Sequence, residues 1–202
     1  PTGSPSSTAS VSSTASVTSA PQRPLAASPT GSPVERAAAY LVANLADGDH
    51  VVGAFGTDLG QTADVVLALS ATSAQRTARD AAADYLAAHV DDYVHGAVFA
   101  DGSASGEKAG ANYAGPTGKA IVAALAAGRD PRSFGGFDLV SELQSLMVTS
   151  GAKAGRFSDD SAFGDYSNPV GQAFDIIALR RATGSVPDVA VAYLLTAQCA
   201  DG

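Results

Sequence analysis

The sequence has no tryptophan, one methionine, one cysteine and three glutamates, Glu35, Glu107 and Glu142, and aromatic residues make up 6% of its 202 positions. Each shortage excludes something. A single cysteine, Cys199, cannot close an internal disulfide. So few aromatics leave a core of small side chains, because the 46% hydrophobic content comes mostly from Ala, Val and Leu. Basic residues are also scarce: twelve Lys and Arg against twenty Asp and Glu give a net charge of −8. That charge repels phosphate backbones and anionic lipid, so nucleic acid is not an expected partner. No apolar run reaches the eighteen residues of a membrane-spanning helix, and no basic-then-apolar leader opens the chain.

What is present begins with a front of Ser, Thr, Pro, Ala and Gly over residues 1–32, with echoes such as Ser6-Ser-Thr-Ala-Ser10 and Ser12-Ser-Thr-Ala-Ser16. Such a segment has too little apolar surface to offset its ordering entropy. It reads as a solvated linker or stalk, with an O-glycosylated spacer and an inert tail both left open. From Pro33 onward the pattern is helical. Ser32 can cap a helix with Pro33 in its first turn, and that helix stops at Asp47-Gly48.

The rest is organised around Thr62-Ala-Asp-Val-Val-Leu-Ala-Leu69. Aligned on the Ala-Leu endings, it returns as Gly118-Lys-Ala-Ile-Val-Ala-Ala-Leu125 and Gln172-Ala-Phe-Asp-Ile-Ile-Ala-Leu179, at an interval of roughly fifty to sixty residues. Further helices are expected over about 77–90 and 138–149 and from Asp188 through Leu195, with loops at 91–115 and 151–168. The three repeated segments are apolar almost all round, as helices buried on two faces must be. The 77–90 segment is amphipathic, setting Arg79, Asp80 and Asp84 beside Ala83, Tyr85 and Leu86. The fold class is therefore all-α, with 33–202 as the folded part.

Gln198-Cys-Ala-Asp201-Gly202 matches the Gln-x-x-Asp-Gly kernel of the terpenoid cyclase and protein prenyltransferase superfamily, and Asn44-Leu-Ala-Asp47-Gly48 repeats it with Asn for Gln. His89-Val-Asp-Asp92-Tyr93 is a degenerate copy. With the Ser/Thr/Pro-rich front and the Ala-rich repeats, the chain resembles secreted actinobacterial proteins carrying prenyltransferase/squalene oxidase-type repeats. The resemblance implies an α/α toroid of helix pairs and a secreted or cell-surface location. A toroid of this family closes with more repeats than the chain supplies, which implies an incomplete, N-terminal part of a ring and gives Cys199 a disulfide partner outside the chain.

The catalytic sets of those enzymes are missing. There is no Asp-x-Asp-Asp acid, since Asp91-Asp92 and Asp159-Asp160 are bare pairs and Asp47-Gly-Asp49-His50 lacks the final Asp. A prenyltransferase zinc site would need an Asp where Ala197 stands before Cys199, and the histidines are distant in sequence. No metal or cofactor is expected. Two groups of residues remain as candidate ligand contacts. Asp64 and Asp175 interrupt apolar helices, where an unpartnered carboxylate is costly, so each should be paired or line the ring interior, together with Lys119 and Gln172. Asp159, Asp160 and Asp165 crowd one loop, either as turn caps or as oxygen ligands without EF-hand spacing. The expected function is a non-catalytic extracellular module binding a small molecule or a cell-envelope partner. The alternative is a cyclase-, prenyltransferase- or hydrolase-like enzyme whose catalytic residues lie beyond Gly202.

Overall fold

A computed structural model describes residues 31–96 and 111–199. The tail before Gly31, the loop carrying Glu107, and Asp201-Gly202 lie outside the described residues. Eight helices and one short hairpin make up what is described: α1 (Pro33–Ala43), β1 (Val52–Gly53), β2 (Gly56–Thr57), α2 (Leu59–Ser70), α3 (Arg76–Ala88), α4 (Val90–Val94), α5 (Ala114–Ala126), α6 (Leu139–Ser145), α7 (Pro169–Thr183) and α8 (Asp188–Leu195). The fold is all-α apart from the antiparallel pairing of β1 with β2.

Local chemistry sets most boundaries. Ser32 accepts from the Glu35 amide while the Glu35 carboxylate accepts from the Ser32 amide, a reciprocal cap with Pro33 at the first position of α1. Asp58, Asp138 and Asn168 cap α2, α6 and α7 through their side chains. α7 ends at Gly184, whose φ of 80° suits a left-handed stop. Four elements depart from expectation: α4 and the hairpin occupy segments whose Gly and Asp content reads as loop, α1 ends at Ala43 short of Asp47-Gly48, and α6 ends at Ser145 and does not run on to 149.

Helices α2, α5 and α7 lie side by side as a row, with α3 packed on α2, α6 on α5 and α8 on α7. α1 packs on α2 at one end of the row, and α4 fits between α3 and α5. Caps Asp58, Tyr113 and Asn168 stand 55 residues apart each time. This equal period corrects the register taken from the Ala-Leu endings. The counterpart of Leu69 and Leu179 is Ala124, buried like them, whereas Leu125 falls one place later and is only half-buried.

The row is tightest between α5 and α7, where small residues let the backbones meet. A Cβ placed on Gly115 would lie 3.3 Å from the Gly171 Cα. One placed on Gly118 would overlap an Asp175 carboxyl oxygen and lie 2.9 Å from the Asp175 Cα and N. The main core runs from Ala63 and Val66 of α2 through Ile121 of α5 to Leu139 and Leu143 of α6, Phe157 and Leu179. A smaller cluster joins Ala38 of α1 to Val65 and Leu69 of α2. No helix among the described residues is long and apolar enough to cross a membrane.

Candidate functional site

The expected ligand contacts fall in different surroundings. Asp64 and Lys119, each the sixth residue after its cap, form an ion pair of 2.7 Å between α2 and α5. Phe174 holds the same place on α7, and the Lys119 ammonium lies 5.8 Å from its ring centroid. Asp64 is exposed, so the pair forms a polar stripe along one side of the row and not a buried centre.

Gln172 and Asp175, three residues apart on α7, are both buried and have opposite fates. The Gln172 side chain accepts from the Phe157 amide at 2.9 Å and donates to the Gly155 and Ala190 carbonyls at 2.8 and 3.1 Å. It ties the 155–157 segment and the start of α8 to the row. Neither carboxyl oxygen of Asp175 has a partner among the described residues. Burial, helped by the charge of Asp159, pushes this carboxyl up to about 8. The space its oxygen fills is the one that Gly118 leaves by lacking a Cβ.

The acidic loop is mostly self-contained. Asp159 accepts from the Ala114 amide at 2.9 Å, supplying the N-terminus of α5 with the cap that Tyr113 cannot provide, and from the Tyr166 amide at 3.0 Å. Burial outweighs those bonds and raises its carboxyl above the usual range. Asp165 pairs with Arg156 at 2.9 Å and accepts from Ser167. Asp160 differs from both: its backbone pairs with that of Asn112 in both directions, while the residue is exposed and lines a cavity.

That cavity, of about 450 Å³ and open to solvent, is walled by the end of α4, the entry to α5 and one side of α6. Its centre is His95. The His95 Nδ1 lies 2.9 Å from an Asp91 carboxyl oxygen, and its Nε2 lies 3.4 Å from Glu142 Oε2. An ionised carboxylate only accepts, so Asp91 sets the proton on Nδ1 and turns Nε2 toward Glu142. The second contact is close enough for an ion pair but is not aligned as a hydrogen bond, which leaves Glu142 Oε2 buried without a bonded partner. Burial pushes the Glu142 carboxyl up, and His95 pulls it only partly back. Phe137, whose ring centroid is 5.2 Å from that of His95, supplies an apolar wall, and Asn112 and Ser145 complete the polar one.

Sequence reasoning passed over His95 and Glu142. The one local signal was the spacing of Asp91 and His95, four residues apart on what proves to be α4; nothing in the sequence ties either to Glu142. The other histidines serve as braces: His50 and His89 each stack on Tyr85 at 4.3 Å, with Asp49 2.7 Å from His50 Nδ1. Cys199 is exposed and carries a free thiol. Among the described residues no group of three or more His, Cys, Asp or Glu is arranged to hold a metal ion. No family model, curated protein or solved structure matches the chain.

Proposed function

We propose that the chain is a non-catalytic ligand-binding module, its helix row an arc of an α/α toroid, that takes a small hydrophilic ligand in the cavity around His95. The observation that carries this reading is the open cavity itself, with the Asp91–His95–Glu142 set on one wall beside Asn112, Ser145 and Asp160. These carboxyl, amide and hydroxyl groups can bond the hydroxyls or amines of a small hydrophilic ligand. Three equally spaced helices, each with a following helix packed beside it, support the toroid arc. The Ser/Thr/Pro-rich front supports a secreted or cell-surface location.

Native mass spectrometry of gently purified protein, compared with its denatured mass, tests the reading. A stoichiometric added mass is expected, and Glu142→Gln should lose it while keeping its helix content. Equal occupancy in the two proteins, or none in either, rejects ligand binding at this cavity. A second reading draws on the same pair: a carboxyl raised by burial beside an imidazole that Asp91 orients can pass a proton to a bound substrate. Chemical change in the captured molecule over time would favour that enzyme.

A further inference from the structure

Among the described residues Asp175 is the one ionisable side chain that is completely enclosed, and neither of its carboxyl oxygens has a partner there. It lies where α5 and α7 come closest. A Cβ on Gly118 would stand 2.9 Å from the Asp175 Cα and N, and one on Gly171 would stand 3.1 Å from the Gly115 Cα. With backbones in contact on that side, an ionised carboxyl has nothing to replace its hydration. The charged groups on the neighbouring elements give no relief. Lys119 of α5 is bound to Asp64, Glu142 of α6 faces His95, and Arg156 holds Asp165. Asp160 of the preceding loop, Asp188 of α8, and Arg180 and Arg181 in the last turn of α7 are exposed, and Tyr193 of α8 is only half-buried. The neighbour whose charge reaches Asp175 is Asp159, and it has the same sign.

Asp159 is also a fastening. It accepts from the Ala114 amide at the start of α5, and the next residue, Asp160, exchanges backbone hydrogen bonds with Asn112. Asn112 and Asp160 both wall the cavity at His95. A charge on Asp175 therefore pushes on the residue that ties this wall to α5. We propose that the proton on Asp175 is a latch: with it, α5 and α7 stay closed and the Asp159–Asp160 wall is fixed; without it, the first turns of the two helices part and that wall loosens. Parting starts there because glycines alone meet, Gly115 on Gly171, whereas Ile121, Ala178 and Leu179 further along belong to the main core. Burial pushes the closed carboxyl up to about 8, and opening returns it toward an ordinary 3.8, so opening releases a proton throughout that range and acid favours the closed form. The latch does not depend on a ligand being bound in the cavity.

The test is amide exchange of the full chain, followed by mass spectrometry from pH 5 to pH 9 with the intrinsic base-catalysed rate divided out. In peptides over 113–119 and 157–175, protection should fall by up to about tenfold per pH unit as far as about pH 8 and then level off. Low urea should leave these rates unchanged, because a local opening exposes little surface. Asp175→Asn keeps the shape of the side chain and cannot ionise, so its protection in the same peptides should not change with pH. Should that variant fail to fold, the carbon-13 signal of the Asp175 carboxyl in the unaltered chain gives an independent reading, and it should titrate well above the ordinary aspartate range. Protection that is constant with pH overturns the proposal, as does a pH-dependent loss shared by Asp175→Asn. So does a loss that grows with urea in step with global unfolding, or an Asp175 carboxyl that titrates in the ordinary range.

Discussion

The α5–α7 and α1–α2 contacts show two ways of joining helices in one small protein. Between α5 and α7, glycines remove the side chains that would hold the helices apart, and a buried polar pair, Gln172 and Asp175, sits on the α7 side. Between α1 and α2, Leu41, Val42 and Leu45 pack on Val65 and Leu69, and Ala38 is the one fully buried residue of α1. The first contact depends on atoms that must be absent, the second on atoms that are present. A contact built on absence tolerates almost no addition, whereas one built on apolar bulk loses stability in proportion to what is removed.

The largest effect should come from filling the gap. Gly118→Ala sets a methyl against the backbone of Asp175, which cannot swing aside as a side-chain tip could. A loss of about 4 kcal/mol, or failure to fold, is expected in chemical denaturation. Next is Asp175→Asn. The folded carboxyl titrates at about 8 against an ordinary 3.8, so between those values the folded state holds a proton that the unfolded chain has released. The stability linked to this group is complete below about pH 4 and is lost as pH rises through about 8. Asparagine lacks that loss. The variant should gain on the original as pH rises through the window, with a slope of at most about 1.4 kcal/mol per pH unit. Denaturation curves at pH 4, 6 and 8 check both sign and slope.

Gln172→Ala should cost about 2–3 kcal/mol, because it strands the Phe157 amide and the Gly155 and Ala190 carbonyls in the interior. Amide exchange should rise first at Phe157 and near the start of α8. On the α1 side, Leu41→Ala should cost only about 1 kcal/mol, since Leu41 is half-buried and its site can collapse. If Leu41→Ala cost as much as Gly118→Ala, the contrast between the two contacts would fail.

Helix boundaries were legible wherever a cap or a proline announced them, as at Ser32-Pro33, Asn168-Pro169 and Pro187-Asp188. The all-round apolar character of α2 and α5 was legible too. The register was not: Leu125 imitates the Leu69 position one place late, and only the equal spacing of the caps reveals the slip. That one-place difference also separates the two acids. Asp64 is the sixth residue after its cap and Asp175 the seventh, a rotation of about 100° around the helix. In sequence both interrupt an apolar run; in space one meets solvent and Lys119, and the other meets Gly118. The cavity could not be read at all. His95 and Glu142 come together only because α4 and α6 both pack on α5, and no spacing rule links residues that tertiary packing alone makes neighbours.

The preponderance of alanine in the core has a consequence for how the fold assembles. Ala63, Ala82, Ala83, Ala114, Ala120, Ala123, Ala124, Ala178 and Ala190 are all fully or almost fully enclosed. An alanine has no rotamers to freeze, so enclosing it removes no side-chain freedom, while a leucine or methionine surrenders about 0.5–2 kcal/mol of such freedom. Each of these residues also removes little apolar surface from water, so none anchors the structure alone. Cohesion is spread thinly over the row, and a helix detached from its neighbours would keep very little of it.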